Sequence, residues 1–347
     1  KAEKFLKKNN IKFQYGLNED LAATAIWGSQ QTELRNEGKY DGVFGLWYGK
    51  GPGVDRCGDV FRHSNLAGTS KYGGVLVAMG DDHSAESSTE LHQSEYALVD
   101  AMMPILSPAG VQDILDFGIK GWALSRYSGL WVGIKCLKDT IEVTEVVDAA
   151  YDRIKIVDPQ DKDHEELNIR LGDTPPARED RLHNKKLRAA KIFARANKLD
   201  KVDYSPTEKK IGIISAGKSW LDTVHALSLL GIDREEAEKY KLTTLKLGMV
   251  WPIDDGFVKD WADGLDKILV VEEKRGLIES QVKEALYGMV NSPKIIGKCD
   301  DNGEVLLPSN GVLDPIIVGK AIVNKLIGSS KSEKLENALN SMSIGSR

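Results

Sequence analysis

Short apolar runs alternate along this chain with longer stretches in which apolar residues recur at helical spacing. The run GGVLVAMG at residues 73–80 is bounded by glycines, and a second apolar run occupies residues 130–137. Runs of this kind are typical of buried parallel strands. Between them, the spacing predicts helices over residues 111–119 and 121–127. The order of strand, helix and strand predicts right-handed crossovers and an α/β fold with a parallel sheet.

The same alternation returns near residue 211, where a strand over 211–214 precedes a predicted helix over 219–231, and another strand is predicted at 267–273. Residues 138–205 are polar and charged instead, which is typical of a surface linker, with one basic amphipathic helix over 187–199. We therefore predict four units, namely a first α/β domain over 1–150, a linker and helix over 151–207, a second α/β domain over 208–330, and a frayed tail over 331–347.

The stretch that begins at residue 11 combines a predicted strand with a predicted helix. Residues 11–16, IKFQYG, alternate as a short strand does, and Asn18 is a good helix N-cap. Residues 21–27 are apolar almost all round, which predicts a largely buried helix. Glu19 would then lie where polar loop meets apolar core, so its pKa can be tuned. Taken alone, however, the tripeptide Asn-Glu-Asp is more simply a helix cap.

Residues 40–56 predict a strand that runs into a glycine-rich loop, because Gly51 and Gly53 permit positive φ and close backbone approach. Lys50 and Arg56 supply cationic groups at the two ends of this loop. Such a cation can hold the carboxylate of a small acid or a phosphate group. The pattern does not decide between the two, and a plain turn between strand and helix is an alternative.

His63 lies in polar surroundings where another helix begins. A histidine can carry a proton near neutral pH, so His63 is a candidate catalytic residue. A lone histidine is more often structural, and this alternative stays open.

Polar residues follow the predicted strand at 73–80, at the kind of strand end where ligands bind in open α/β sheets. Asp81, Asp82 and His83 are adjacent in the chain, and adjacent residues rarely converge on one ion, so no metal is assigned to them. His92 and Glu95 are three residues apart on a likely helix, and we expect them to pair.

A phosphate-loop pattern occurs at residues 212–219, GIISAGKS. We reject it as a nucleotide site, because Gly212 falls inside the predicted strand and leaves too few loop residues to surround phosphates.

The composition and net charge of the chain exclude some classes of protein. The 347 residues are 41% hydrophobic and 29% charged, with a formal net charge of −5. No basic arm and no long apolar segment occurs, so neither nucleic acid nor a membrane is an expected partner. The cysteines Cys57, Cys136 and Cys299 are far apart, which fits packed thiols in a reducing cytoplasm and no disulfide framework.

Several runs resemble one family. Residues 16–31 and the run KGPGVDR at 50–56 resemble the pyrimidine-binding domain of thiamine diphosphate enzymes, and most closely the fused indolepyruvate ferredoxin oxidoreductase family. The runs FRHSNLAGTS at 61–70 and SPAGVQ at 107–112 match the same family. Residues 208–276 resemble the transketolase C-terminal-like domain that follows. The resemblance implies an N-terminal portion, with the family's further upstream strand and turn missing.

The resemblance also implies roles for individual residues. In this superfamily a Glu at the position of Glu19 hydrogen-bonds the aminopyrimidine ring of thiamine diphosphate and stabilises its imino tautomer. Glu19 is thereby implied to be catalytic and to bind the cofactor, with Gly51 and Gly53 beside it. Lys50 and Arg56 are implied to lie near the substrate.

The implied reaction is oxidative decarboxylation of an aryl 2-oxo acid, such as indolepyruvate, to an acyl-CoA. Electrons would pass through 4Fe-4S clusters to ferredoxin. The GDG…N motif that holds the diphosphate through Mg²⁺ does not occur in the sequence, and neither do the cluster cysteines. We therefore expect Mg²⁺ and the clusters outside this segment, in a diphosphate-binding domain or subunit, and we expect a homodimer.

Two other functions stay open at this point. One is a non-oxidative thiamine diphosphate enzyme of the transketolase or decarboxylating-dehydrogenase type. The other is a non-catalytic scaffold module that only dimerises.

Overall fold

A computed structural model describes residues 2–86, 88–150, 152–161 and 167–344. The strands of this part of the chain, in chain order, are β1 Phe44–Lys50, β2 Gly74–Asp81, β3 Ile105–Leu106, β4 Val132–Leu137, β5 Lys201–Val202, β6 Ile211–Ala216, β7 Leu242–Leu247, β8 Met249–Trp251, β9 Lys267–Val271 and β10 Lys294–Ile296.

The helices pack on the faces of these strands. They are α1 Glu3–Lys8, α2 Glu19–Ser29, α3 Gly51–Arg56, α4 Gly58–Ala67, α5 Glu95–Asp100, α6 Val111–Ser128, α7 Lys138–Ile141, α8 Pro175–Asp180, α9 Leu187–Ala196, α10 Gly217–Leu229, α11 Arg234–Tyr240, α12 Asp255–Ala262, α13 Leu277–Leu286, α14 Pro315–Ala321 and α15 Glu333–Ile344. Short 3₁₀ turns lie at Thr32–Arg35 and Gly328–Ser330, and π-helical turns lie at Arg181–Lys186 and Ile322–Ile327.

The strands form two five-stranded sheets, which confirms the predicted α/β fold. The first sheet has the order β1-β2-β4-β3-β8 and the second has the order β10-β9-β6-β7-β5. Every pairing is parallel except those of β8 with β3 and of β5 with β7. Gly212 lies inside β6, paired with Thr243 and Ile268, which confirms the premise on which we reject the phosphate-loop pattern.

Strand β8 ties the two sheets together. It follows the second-sheet strand β7 in the chain, yet it pairs antiparallel with β3 of the first sheet. One hydrophobic cluster accordingly contains Val77 from β2 together with Leu245 and Val270 from β7 and β9. The predicted domain boundaries stay predictions, but the described residues on either side of them share this core.

Two predictions at the N-terminal end are wrong. Residues 11–16 are not a strand, since they make no strand pairing within the described residues, although the ring of Phe13 stacks on that of Tyr48 in β1. Helix α2 is not largely buried, because one face packs on β1 and only Ala23 is fully buried. Leu21 is about half exposed, although the helix is apolar in sequence.

Three further predictions differ from the structure. The expected glycine-rich loop is helix α3, in which Pro52 occupies a favoured first-turn position and Val54 is buried. The expected frayed tail contains helix α15, whose Leu335, Leu339 and Met342 are buried in the second hydrophobic cluster. The two helices predicted over 111–127 are one continuous helix, α6.

Candidate functional site

Glu19 is the first residue of helix α2. The side chain of Asn18 accepts a hydrogen bond from the backbone N–H of Leu21 at 2.9 Å, as expected for an N-cap. The indole Nε1 of Trp47 in β1 donates to the carbonyl oxygen of Glu19 at 3.0 Å. Trp47 is buried, so this bond ties the start of the helix to the first sheet.

The start of α2 meets helix α3, and this contact brings three predicted site residues together. A Cβ atom at Gly53 would lie 2.7 Å from Cγ of Glu19, so the glycine leaves room for that side chain. Arg56 lies on the same helix as Gly53, with its Nε 3.9 Å from Oε2 of Glu19 and 3.3 Å from Oδ1 of Asp20. Residues more than thirty positions apart therefore form one cluster.

This cluster is open to solvent, contrary to the expectation of a partly dry carboxylate. The side chain of Glu19 is 44% exposed and that of Arg56 is 58% exposed. Solvent screens such a pair, so its electrostatic contribution is small. The carboxylate of Glu19 is accessible to a ligand from the outer side of α2.

Cys57 lies directly beneath the cluster, and the sequence interpretation did not place it there. Burial, together with the charges of Asp20 and Glu19, raises the pKa of its thiol to about 12. Cys57 is therefore a neutral packing residue. Cys299, in contrast, is exposed, so the expectation that each cysteine is packed is wrong for that residue.

Gly51 makes room for a histidine. A Cβ atom there would lie 2.1 Å from Nδ1 of His92. His92 contacts Asp55 through Nε2 at 2.9 Å and Asp81 through Nδ1 at 3.5 Å. The hydrogen bond with Asp81, opposed by burial and helped by Asp55, raises the pKa of His92 to about 9. The expected pair of His92 with Glu95 is therefore wrong.

The two remaining predicted side chains are those of Lys50 and His63. Lys50 is exposed at the end of β1, just before α3. His63 is 60% exposed on α4, where it bonds to Asp59 of its own helix and lies against the ring of Trp27. Trp27 is eight residues after Glu19 in α2, a distance of about 12 Å along the helix. The substrate-binding role of Lys50 and the catalytic role of His63 stay predictions.

The acidic residues at the end of β2 hold the loop that follows it, and neither Asp81 nor Asp82 caps a helix. Asp82 accepts hydrogen bonds from the backbone N–H groups of Glu86 and Ser88, and Asp81 accepts from Ser94. Among the described residues, no group of three His, Cys, Asp or Glu side chains is arranged to hold a metal ion. In the same part of the chain, no helix combines the length and apolar character needed to cross a bilayer.

Comparison with known proteins places this geometry in a family context. Residues 201–347 match the family model described as the indolepyruvate oxidoreductase domain. Over 279 residues the chain is 26% identical to indolepyruvate oxidoreductase subunit IorA of Methanothermobacter marburgensis, and the match covers 80% of this chain. An alignment of that length extends well beyond residues 201–347 into the first sheet. The chain is related to the indolepyruvate oxidoreductases.

The chain spans about two fifths of the length of IorA, since the match covers 42% of that protein. Two solved structures share its fold. A 2-oxoglutarate:ferredoxin oxidoreductase from Magnetococcus marinus gives a TM-score of 0.61 at 14% identity, over 92% of this chain and 58% of the other. A split gene transketolase, described as an inactive β4 tetramer, gives 0.53 at 16% identity, over 98% and 88%. These likenesses agree with a pyrimidine-type domain followed by a transketolase C-terminal-like domain.

Proposed function

We propose that this chain forms part of a thiamine diphosphate-dependent 2-oxo acid:ferredoxin oxidoreductase and that it supplies the glutamate that contacts the cofactor's pyrimidine ring. The observation that carries the proposal is the cluster at the start of α2, where Glu19 extends over Gly53. The relation to IorA supports the reaction class.

Two features of this cluster fit the pyrimidine ring. The missing side chain at Gly53 leaves the space into which Glu19 extends, because a Cβ atom would come within 2.7 Å of Cγ of Glu19. The backbone carbonyl of Glu19 is also held by Trp47, whereas the side chain of Glu19 is exposed. Glu19 would hold a proton shared with a ring nitrogen of the pyrimidine. When bound, thiamine diphosphate supplies the carbanion and electron-sink chemistry that a 2-oxo acid needs to lose CO₂.

The diphosphate end needs residues from elsewhere. Among the described residues no carboxylate cluster is arranged for Mg²⁺. We propose that a diphosphate-binding domain or subunit supplies the Mg²⁺ site and that the 4Fe-4S clusters and the ferredoxin contact also lie outside this segment. Homodimer formation and a cytoplasmic location belong to the same proposal.

The cationic residues near Glu19 are candidates for substrate binding. Arg56 is shared between Asp20 and Glu19, whereas Lys50 is exposed at the end of β1. Either cation would attract the carboxylate of a 2-oxo acid or a phosphate of CoA. An aryl 2-oxo acid such as indolepyruvate is the proposed substrate and an acyl-CoA the proposed product.

The proposal is tested in the complete enzyme, assembled with its diphosphate-binding part. Anaerobic reduction of a viologen dye is measured with thiamine diphosphate, Mg²⁺ and CoA, and with indolepyruvate, phenylpyruvate or pyruvate in turn. We expect dye reduction with an aryl substrate, and we expect Glu19→Gln to lower kcat by about a hundredfold or more while the melting temperature stays unchanged.

Glu37→Gln is the matched control, because Glu37 is exposed and lies outside the cluster. Near-normal turnover in Glu19→Gln would refute the role of Glu19. Turnover of 2-oxo acids without dye reduction would favour non-oxidative thiamine chemistry. No thiamine diphosphate binding in the assembled enzyme would favour a scaffold.

A further inference from the structure

A second polar site lies where the carboxyl ends of the two sheets face each other. It is a cavity of about 40 Å³, and none of the residues that line it belongs to the cluster around Glu19. Strand ends of parallel sheets are the usual place for ligands in α/β proteins. The polar residues that line it come from, or directly follow, strands β2, β3, β4, β6 and β9, and they are His83, Ser107, Lys135, Lys218, Ser219, Glu272 and Glu273, together with Glu95 of α5.

The fixed charges in this cavity are largely paired. Nζ of Lys218 lies 2.7 Å from Asp222 and 3.0 Å from Glu273, and it also donates to the carbonyl oxygen of Leu313 at 2.8 Å. Lys135 forms an ion pair with Oε1 of Glu95. These two lysines are therefore neutralised by carboxylates.

The adjacent carboxylate, Glu272, is also fully engaged. Its two oxygens accept hydrogen bonds from the backbone N–H groups of Leu277, Ile278 and Glu279, at the start of helix α13. A helix N-terminus favours negative charge, so Glu272 is directed at that helix and away from a ligand.

Several polar groups that face the cavity remain open within the described residues. Oε2 of Glu95 and Nε2 of His83 are buried without a hydrogen-bond partner, and the two side chains are 8% and 5% exposed. The hydroxyl groups of Ser107 and Ser219 also make no hydrogen bond in this part of the chain. Buried polar atoms are rarely left without a partner, so the arrangement calls for one.

Helix α10 begins at the same place. Its N-cap residue Ala216 provides no side-chain hydrogen bond, so the first N–H groups of a thirteen-residue helix are uncapped. Gly217 has φ +53°, and a Cβ atom there would lie 2.4 Å from Oγ of Ser107, which shows how closely the strand ends approach. The open groups are therefore the uncapped N–H groups of the helix start, the hydroxyls of Ser107 and Ser219, which can donate or accept, Nε2 of His83 and one anionic acceptor, Glu95.

We propose that this cavity binds a small planar oxyanion that carries one O–H group, of which bicarbonate is the simplest. Its oxygens would accept hydrogen bonds from Ser107, Ser219 and the start of α10, and its O–H would donate to Oε2 of Glu95. The cavity has room for about three water molecules, which suits an ion of this size better than a tetrahedral phosphate. The proposal does not depend on thiamine chemistry at Glu19.

The test compares two ions of the same shape and charge. Bicarbonate and nitrate are both planar, but nitrate has no proton to donate to Glu95. Binding to the full chain is measured by titration calorimetry at mildly alkaline pH and constant ionic strength, with phosphate as a larger oxyanion. We expect bicarbonate to bind at least about tenfold more tightly than nitrate or phosphate, since hydrogen bonds to charged groups are the strong ones.

Two variants locate the site. Ser219→Ala should weaken bicarbonate binding about tenfold, whereas Ser228→Ala should leave it unchanged, because Ser228 is exposed at the far end of α10. Glu95→Gln places an amide donor in the cavity, so the preference for bicarbonate over nitrate should fall. Equal binding of the two ions, or full bicarbonate binding by Ser219→Ala, would overturn the proposal, as would no bicarbonate binding, which would mean that water alone fills the cavity.

Discussion

The contact between Gly53 and Glu19 decides where the candidate catalytic carboxylate can lie. Helix α3 presents its glycine to the side chain of Glu19, and any larger residue there must push that side chain outward. Displacements of about 1 Å at a reacting group can cost a hundredfold in rate. Gly53 lies in a regular helix, so its own backbone does not require a glycine. Its missing side chain instead sets the position of Glu19.

Gly53→Ala should therefore lower kcat of the complete enzyme by about tenfold to a hundredfold while the melting temperature is kept or raised, since alanine favours a helix over glycine. Gly58→Ala is the matched control, because nothing lies within 4 Å of a Cβ atom there. The check is kcat alongside thermal unfolding of both variants. Equal kcat for the two would contradict the positional argument.

At the residue scale, the sequence identified the helix start and the glycines but not their partners. Asn18 caps α2 as predicted, because capping depends on residues three positions apart. Trp47 and Cys57 reach Glu19 through folding of distant segments, and His92 fills the space above Gly51 in the same way. No local pattern carries such contacts, although the burial of Trp47 follows from alternation along β1.

Between elements, one buried lysine joins three helices. Lys186, in the π-helical turn before α9, donates to the carbonyl oxygens of Asn65 and Leu66 near the end of α4 and of Gly129 at the end of α6, at 3.3, 3.4 and 3.3 Å. A cation at helix C-termini is favourable, but burial and the nearby charge of Arg181 lower the pKa of Lys186 to about 7. The side chain thus gives up a proton on folding above that pH.

Because its pKa is lowered on folding, Lys186 makes the stability of the chain depend on pH. Between pH 7 and the usual lysine value of 10.5, the unfolded chain binds more protons at this residue, so its contribution makes stability rise with pH, by at most about 1.4 kcal/mol per unit. Lys186→Met should remove this slope from the free energy of unfolding measured by denaturant titration. Lys185→Met, at the exposed neighbour, should keep it. An unchanged slope in Lys186→Met would contradict the assignment.

Elements defined by a continuous apolar run were predictable, and elements that depend on a neighbour were not. Strands β2, β4, β6 and β9 follow from their own residues. Residues 11–16 have the alternation of a strand but no strand partner. Helix α3 forms because Pro52 favours its first turn and Val54 is buried where α3 meets α2 and β1. Helix α15 was missed because its apolar residues are sparse, although they recur at helical spacing.

At the scale of the whole molecule, the exchanged strand β8 makes the two sheets one folding unit. Met249 is fully buried in β8 and belongs to the cluster that covers α6 and α9. The backbone N–H of Ser107 also donates to the carbonyl of Gly248 at 2.9 Å, beside the strand pairing. A substitution that weakens the packing of β8 should therefore destabilise both sheets.

Met249→Ala should destabilise the chain by about 2–5 kcal/mol and lower a single calorimetric transition, with hydrogen exchange becoming faster in β2 and β9 alike. Val202→Ala in the exposed edge strand β5 should change little. Two separate transitions, with only one shifted by Met249→Ala, would show instead that the sheets unfold independently.

The position of β8 also sets the order of events during synthesis. Strand β4 ends at Leu137, while β8 begins at Met249, so 111 residues separate the two along the chain. At the usual pace of a ribosome this is roughly 6 to 22 seconds, during which the edge of β3 has no strand to cover it. An uncovered edge pairs readily with other chains. The nascent protein therefore passes through an interval in which a chaperone, or the pace of translation between residues 137 and 249, governs how much of it reaches the native state.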